Sequence, residues 1–216
     1  MMNRNLTELV FILDRSGSMS GLESDTIGGF NSFVEKQKKE DGECLVSAVL
    51  FNQKSEVLYD REDISHIRKM KEEDYFASGC TALIDALGNG IRHIRNVHKY
   101  IRKEDVPAKT VFVIITDGLE NASVRYSSDE VKKMVELQKE KGWEFLFLGA
   151  NIDAVQTAKR YGINEDRTVD YLNDQKGIKK NFATLSKTIS CVRTEGSICK
   201  DWADEIKADY KERKGN

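Results

Sequence analysis

Three short runs of consecutive apolar residues divide the chain, and each run is bounded by polar residues or glycine. They cover residues 9–13, 111–115 and 145–148. Neighbouring side chains of a β-strand point to opposite faces, so a strand that is apolar at every position is covered on both faces. Such strands are typical of a parallel sheet between two layers of helices. The pattern therefore predicts three central parallel strands.

Between these runs, apolar residues recur every three or four positions, which predicts amphipathic helices. The predicted helices cover residues 23–40, 82–101, 128–141, 153–161 and 174–188. A weak strand is predicted at 167–171. Residues 44–51 and 56–59 differ, because two strands joined by a short polar turn predict an antiparallel hairpin at the sheet edge. The predicted fold class is α/β: a doubly wound, mostly parallel sheet with one antiparallel edge strand and helices on both faces.

Composition narrows the classes of function. The chain has 216 residues, with 34 Lys and Arg against 36 Asp and Glu, so its net charge is −2. This balance excludes a globally basic nucleic-acid-binding protein. The apolar run at residues 9–13 is too short for the core of a signal peptide or for a membrane span. We therefore expect no nucleic acid and no membrane among the partners.

The cysteines bear on the cellular compartment. None belongs to a CxxC pair, and their spacings match no zinc motif. The four cysteines are Cys44, Cys80, Cys191 and Cys199. We expect free thiols in a reducing compartment rather than a disulfide framework. The sequence is thus interpreted as that of a soluble, cytoplasmic protein, unless a leader precedes it.

Candidate chemistry is concentrated at the ends of two predicted strands. The first apolar run is followed by Asp-Arg-Ser-Gly-Ser at residues 14–18, and the second ends in Thr-Asp-Gly at 116–118. Ligands of doubly wound sheets bind at the carboxyl ends of the strands, so Asp117 is expected to face Asp14. Carboxylate and hydroxyl oxygens suit a hard divalent cation such as Mg²⁺, Mn²⁺ or Ca²⁺.

At these residues the sequence resembles the von Willebrand factor type A (VWA) family, which has a Rossmann-like fold. Its metal-ion-dependent adhesion site (MIDAS) combines an Asp-x-Ser-x-Ser loop with a distant threonine and a distant aspartate. The five corresponding residues, and hence the predicted metal ligands, are Asp14, Ser16, Ser18, Thr81 and Asp117. The resemblance covers about residues 6–190. Cys80 departs from the family pattern, because a small or polar residue is expected before the threonine.

The resemblance implies a protein-binding module that is not an enzyme. Three neutral hydroxyls would bind the cation directly, and the two aspartates would lie mostly one water away. The cation would then keep an open position for an Asp or Glu side chain of a partner protein. The expected cofactor is Mg²⁺, with Mn²⁺ or Ca²⁺ as substitutes. The residues expected at the rim of the site, where they would tune partner choice, are Ser20, Glu23, Glu120 and Asn121.

Other interpretations remain open for the individual residues. Thr81 would also suit a helix cap, and Asp117 would suit a turn. The main alternative function is a metal-dependent hydrolase or phosphatase in which Asp14 attacks the substrate. A haloacid-dehalogenase-like phosphatase would have a second aspartate two residues later, where this chain has Ser16. Basic residues at 92–103 offer a nucleic-acid surface, although their helical spacing favours a solvated face.

We divide the chain into a VWA-like domain at residues 1–190 and a charged C-terminal helix at residues 191–216. In this tail, Trp202, Ile206 and Tyr210 recur every four residues among charged residues. We expect the helix to dock on its own domain. The alternative is a helix that binds a partner or a second copy of the chain.

Overall fold

The structure is a computed structural model that describes residues 3–214. Within that range, six strands form one sheet. They are β1 (Asn3–Asp14), β2 (Glu43–Phe51), β3 (Ser55–Asp63), β4 (Pro107–Thr116), β5 (Glu144–Gly149) and β6 (Thr168–Asp170). Their order across the sheet is β3-β2-β1-β4-β5-β6. Neighbouring strands are parallel except β2 and β3, which form the predicted antiparallel hairpin at the edge.

Helices cover both faces of this sheet. They are α1 (Glu23–Gln37), α2 (Leu83–Tyr100), α3 (Ser128–Lys139), α4 (Ala154–Arg160), α5 (Gln175–Glu195) and α6 (Asp204–Lys214). Strand β1 shows why its apolar run is continuous. Leu9, Phe11 and Leu13 belong to the core shared with α1, α5 and α6, whereas Val10 and Ile12 belong to the core shared with α2, α3 and α4. The predicted fold class is confirmed.

The C-terminal part packs against the same sheet. Helix α5 continues beyond the predicted end at residue 188, because Ile189 and Val192 are buried in the core. Trp202 and Ile206 are buried in the same core, and the Trp202 Nε1 donates a hydrogen bond of 2.8 Å to the backbone oxygen of Asp166. The boundary predicted at residue 190 falls inside α5. The division into domain and tail stays a prediction.

The cysteines correct one expectation. Cys191 and Cys199 form a disulfide, so the prediction of free thiols is wrong for this pair. Cys44 and Cys80 are free, and Cys80 is exposed. The spacing matched no motif because the pairing depends on the turn after α5, where Gly196 adopts a left-handed φ of 76° and reverses the chain. Across residues 3–214, none of the helices combines the length and the apolar character needed to cross a membrane.

Candidate metal centre

The parallel pairing of β1 and β4 brings the two aspartates together. Leu13 of β1 lies in register with Ile115 of β4, so both strands end at the same edge of the sheet. Asp14 ends β1, and Asp117 directly follows β4. Both residues are buried. The strand ends therefore form the floor of the candidate site.

Three hydroxyl groups converge above this floor. Ser16 Oγ and Ser18 Oγ lie 3.0 Å apart, and Ser18 Oγ donates a hydrogen bond of 2.5 Å to Asp117 Oδ1. A Cβ placed on Gly118 would lie 2.8 Å from Thr81 Oγ1, 3.4 Å from Ser18 Oγ and 3.6 Å from Ser16 Oγ. Oxygens from separate segments of the chain thus surround one point, which the absence of a side chain at Gly118 leaves open.

Asp14 supports the serine loop from below. Its Oδ1 accepts a 2.7 Å hydrogen bond from the Ser16 backbone N–H, and its Oδ2 accepts a 2.5 Å bond from Thr116 Oγ1. The Tyr75 hydroxyl donates to the Asp14 backbone oxygen. These bonds fix the position at which the loop leaves β1, and hence the direction of the serine hydroxyls.

The electrostatics of the two aspartates favour an added cation. Burial raises the pKa of Asp14, against the effect of hydrogen bonds from Thr116 and Ser16. Burial also raises the pKa of Asp117 to about 6, and the charge of Asp14 contributes. Among the described residues, no Lys, Arg or His forms an ion pair with either carboxylate. Their charge is therefore unmatched within the described part of the protein.

The donor set fits a divalent cation. Hydroxyl and carboxylate oxygens are ligands of Mg²⁺, Mn²⁺ and Ca²⁺, and the three atoms nearest to the convergence point are all hydroxyl oxygens. Asn173 adds a further polar group, because its Nδ2 donates a 2.6 Å hydrogen bond to Asp117 Oδ2. Its buried Oδ1 has no hydrogen-bond partner in the described part of the chain. A hydrated cation would offer that oxygen a partner.

The interpretation of Thr81 as a helix cap is not supported by the geometry. The residue that caps α2 is Ala82, which makes no side-chain capping bond. Asn121 holds the threonine segment instead, since its Oδ1 accepts a 2.9 Å hydrogen bond from the Thr81 backbone N–H. The Thr81 hydroxyl is therefore available to the convergence point.

The predicted rim residues differ in their surroundings. The Glu120 carboxylate accepts hydrogen bonds from the backbone N–H groups of Ile84, Ala122 and Ser123, and so holds its own loop against the start of α2. The Glu23 carboxylate accepts a 2.7 Å bond from the Gly21 backbone N–H. Ser20 and Asn121 are exposed. A role of these four residues in partner choice stays a prediction.

Three supporting residues were missed by the sequence analysis. Thr116 carried a weak signal, because it is a polar residue at the end of an apolar strand. Asn173 follows the weak strand β6, at the same edge of the sheet as Asp117. Tyr75 gave no signal, because it lies 61 residues from the aspartate whose backbone it contacts.

Comparison with known proteins identifies the family. The sequence model of the von Willebrand factor type A domain matches residues 8–183. The vWF domain of the type V pili tip protein Mfa5 from Porphyromonas gingivalis has a TM-score of 0.66 at 12% identity, over 91% of this chain and 99% of that one. At this identity the likeness shows the fold. No curated protein sequence matches this chain significantly.

Two further structures of this fold hold metals. Proximal thread matrix protein 1 from the mussel byssus, with a zinc-occupied MIDAS motif, has a TM-score of 0.58 at 14% identity, over 87% of this chain. This chain spans 46% of the mussel protein's length. The manganese-loaded TRAP protein of Plasmodium vivax has a TM-score of 0.55 at 15% identity, over 82% of this chain and 73% of that one.

The prediction of a cytoplasmic protein is wrong. The similar structures include a pili tip protein and a byssus protein, which lie outside the cell. The prediction rested on free thiols, and the Cys191–Cys199 disulfide removes that basis, because disulfides persist in oxidising environments. The match over residues 8–183 and the six-stranded sheet agree, and the chain belongs to the von Willebrand factor type A domain family.

Proposed function

We propose that this chain is a divalent-cation-dependent protein-binding module with a complete MIDAS. The proposed ligands are Asp14, Ser16, Ser18, Thr81 and Asp117. The observation that carries the proposal is the convergence of three hydroxyl oxygens within 2.8 to 3.6 Å of one point beside Gly118. Two buried carboxylates, which form no ion pair with a Lys, Arg or His of residues 3–214, lie next to that point.

Each residue has a distinct part in this site. Ser16, Ser18 and Thr81 would hold the cation through neutral oxygens. Asp117 orients the Ser18 hydroxyl by accepting its proton in a hydrogen bond, and Asp14 holds the loop through the Ser16 backbone N–H. A bound Mg²⁺, or Mn²⁺ or Ca²⁺, supplies a positive centre with an open position for a carboxylate. The partner is accordingly a protein that presents an Asp or Glu side chain.

Binding is favoured over the alternative of a metal-dependent hydrolase. Catalysis of that kind needs a general acid or base close to Asp14. Two of the histidines interact elsewhere: His93 Nε2 lies 2.7 Å from Asp60, and His98 Nε2 lies 2.7 Å from Glu8. The Asp14 carboxylate accepts hydrogen bonds from backbone N–H groups and from the Thr116 and Ser16 hydroxyls, which do not exchange protons near neutral pH. The carboxylate of Asp117, whose charge interacts with Asp14, is engaged by Ser18 Oγ and Asn173 Nδ2.

Calorimetric titration with MnCl₂ tests the proposal. We expect Thr81→Val and Ser18→Ala to weaken Mn²⁺ binding by at least about 100-fold, because even the outer hydrogen-bond partners of metal ligands are worth about 10- to 100-fold. Ser24→Ala is the matched control, since Ser24 is an exposed residue at the start of α1 and contacts no proposed ligand. Wild-type affinity in both Thr81→Val and Ser18→Ala would refute the site.

A further inference from the structure

A groove of about 790 Å³ lies beside the candidate metal site. It is formed where the loops after β4, β5 and β6 meet helix α6. The side chains that matter for its chemistry are Leu119, Ile152, Tyr171, Leu172, Tyr210 and Lys214. Most of these are apolar or aromatic. The groove therefore offers apolar surface at the edge of the sheet that carries the proposed ligands.

Part of this apolar surface is open to solvent. Leu119 is 65% exposed, although it follows a strand whose other apolar residues are buried. Ile152, Leu172 and Tyr210 are half-buried and leave the remaining surface of the groove accessible. Exposed apolar side chains that gather around a cavity mark binding surfaces more often than isolated ones do.

The groove is continuous with the metal site. Leu119 follows Asp117 by two residues, so their Cα atoms are at most about 7 Å apart. On the other wall, Leu172 precedes Asn173, whose Nδ2 bonds to Asp117 Oδ2 at 2.6 Å. An extended peptide advances about 3.3 Å per residue, and its residues i and i+2 point to the same side. A residue two positions from a metal-bound acidic residue therefore reaches the groove.

Helix α6 forms the far wall and is held in place by charged contacts. Asp209 accepts a 2.5 Å hydrogen bond from Arg213 Nη2 and lies 2.9 Å from Lys176 Nζ of α5. Arg213 also pairs with Asp174 at the start of α5. This wall belongs to the chain beyond residue 183, where the family match ends.

The charges of the groove disfavour a second acidic residue. Asp153 and Asp170 line it together with Lys214. The Lys214 amino group contacts the Tyr210 hydroxyl of its own helix. An acidic side chain in the groove would therefore meet two carboxylates against one amino group, a net negative charge, whereas an apolar side chain would meet leucine, isoleucine and tyrosine surfaces.

We propose that this groove binds a bulky apolar side chain that lies two residues from the acidic residue of the partner. The occupant is an extended partner segment with the pattern acidic-x-apolar, read in either chain direction. The inference rests on the proposed function, because the metal site anchors the acidic residue. It adds a specificity that a metal site alone does not supply.

The probes are three pentapeptides with acetylated and amidated ends. Gly-Asp-Ser-Phe-Gly and Gly-Phe-Ser-Asp-Gly carry the pattern in the two directions, and Gly-Asp-Ser-Ser-Gly lacks the apolar side chain. Each is titrated into the full ¹⁵N-labelled chain with saturating Mg²⁺ and followed by NMR. We expect one phenylalanine peptide to bind at least about tenfold more tightly than the serine peptide, because burying a phenylalanine is worth that much. Amide shifts are expected at residues 119, 152 and 172.

Substitutions in the groove test whether it is the site that prefers the phenylalanine peptides. Leu119→Ser and Tyr210→Ser are expected to abolish the preference for phenylalanine while Mn²⁺ affinity stays at the wild-type value. Val124→Ser is the matched control, because Val124 lies 94% exposed on the same loop and does not line the groove. Retention of the preference in Leu119→Ser and Tyr210→Ser would overturn the assignment of the groove.

The outcomes separate the two proposals. Failure of the wild-type chain to bind Mn²⁺ would remove the metal site and this inference with it. Metal binding together with equal or absent binding of all three peptides would overturn the groove alone. Concentration-dependent shifts at Leu119 and Tyr210 without peptide would show that a second copy of the chain fills the groove, and would likewise overturn the proposal.

Discussion

Strand β1 carries two buried carboxylates with opposite environments. Glu8, in the middle of the strand, contacts Arg61 Nε at 2.5 Å and His98 Nε2 at 2.7 Å. Asp14, at its end, accepts hydrogen bonds from a backbone N–H and a threonine hydroxyl. Burial acts to raise both pKa values, but His98 and Arg61 outweigh it at Glu8. The pKa of Glu8 is therefore lowered, whereas that of Asp14 is raised.

The different surroundings of Glu8 and Asp14 distinguish a buried carboxylate that is paired within the chain from one that is not. A buried charge is tolerated when it is paired and hydrogen-bonded. Glu8 meets that condition through side chains of the same chain, because Arg61 lies on β3 and His98 on α2. Asp14 and Asp117 have hydrogen bonds but no resident cation among the described residues. The carboxyl edge of the sheet thus carries negative charge that the proposed cation would balance.

The largest expected effect comes from neutralising each carboxylate in turn. Glu8→Gln should destabilise the metal-free protein by roughly 3 kcal/mol, because removal of one partner leaves a buried charge uncompensated. Asp14→Asn should leave it equally stable or more stable, since it removes an unpaired buried charge. Urea unfolding in the presence of EDTA measures both values. Equal destabilisation by the two substitutions would break the comparison.

A smaller effect is expected from closing the space above Asp14. Gly118→Ala would place a methyl group 2.8 Å from Thr81 Oγ1, at the point where the three hydroxyls converge. We expect Mn²⁺ affinity to fall by about tenfold or more, which corresponds to about 1.4 kcal/mol, with the fold retained. Gly28→Ala is the control, because no atom lies within 4 Å of its added Cβ. Unaltered Mn²⁺ binding by Gly118→Ala would place the cation elsewhere.

The smallest expected effect concerns the free energy of unfolding, to which Asp117 and Glu8 should contribute with opposite dependence on pH. The folded pKa of Asp117 is raised to about 6 from 3.8, so the metal-free folded state gains stability as the pH falls from 7 to 5. We expect about 1 kcal/mol, less than the shift alone would give, because solvent screens charges at the mouth of the site. The lowered pKa of Glu8 gives stability that is present above 4.5 and is lost as the pH falls through the folded pKa.

Urea unfolding at several pH values separates these contributions. Asp117→Asn should reduce the gain in unfolding free energy between pH 7 and pH 5, with any remainder due to the raised pKa of Asp14, and should leave the loss of stability that comes from Glu8 at lower pH unchanged. Saturating Mn²⁺ should abolish the gain, because a bound cation takes the place of the proton. A metal-free protein whose stability is flat between pH 7 and pH 5 would contradict the unmatched charge at the site.

Much of the fold could be predicted from the sequence, because strands and helices follow the local periodicity of apolar residues. The apolar runs became β1, β4 and β5, and the five segments predicted as helices correspond to α1 to α5 in chain order. Leu137 is an apolar residue of α3 that is 44% exposed, because it lies two positions after the buried Val135 and therefore on the opposite face of the helix. The position of a residue on the helix, and not its apolar character alone, therefore decides whether it is buried.

The candidate site could be predicted from the sequence for a different reason. The serine loop and the Thr-Asp-Gly segment each follow an apolar strand, and parallel strands place their carboxyl ends at one edge. The supporting residues could not be predicted, because they contact the aspartates across long distances in the chain. Tyr75 contacts Asp14, and Asn173 contacts Asp117. The groove beside the site was missed for the same reason, as four separate segments form its walls.

Three properties could be predicted from the sequence: the sheet with helices on both faces, the two strands that end beside Asp14 and Asp117, and the residue types that suit a hard cation. Those properties follow from spacing along the chain. The contacts of Glu8 with Arg61 and His98, and the lack of such partners at Asp14 within residues 3–214, became visible in the folded chain. Electrostatic energy depends on distances through space, and partners that lie 53 and 90 residues away in the chain leave no local pattern. The same holds for the disulfide, whose pairing required the turn at Gly196.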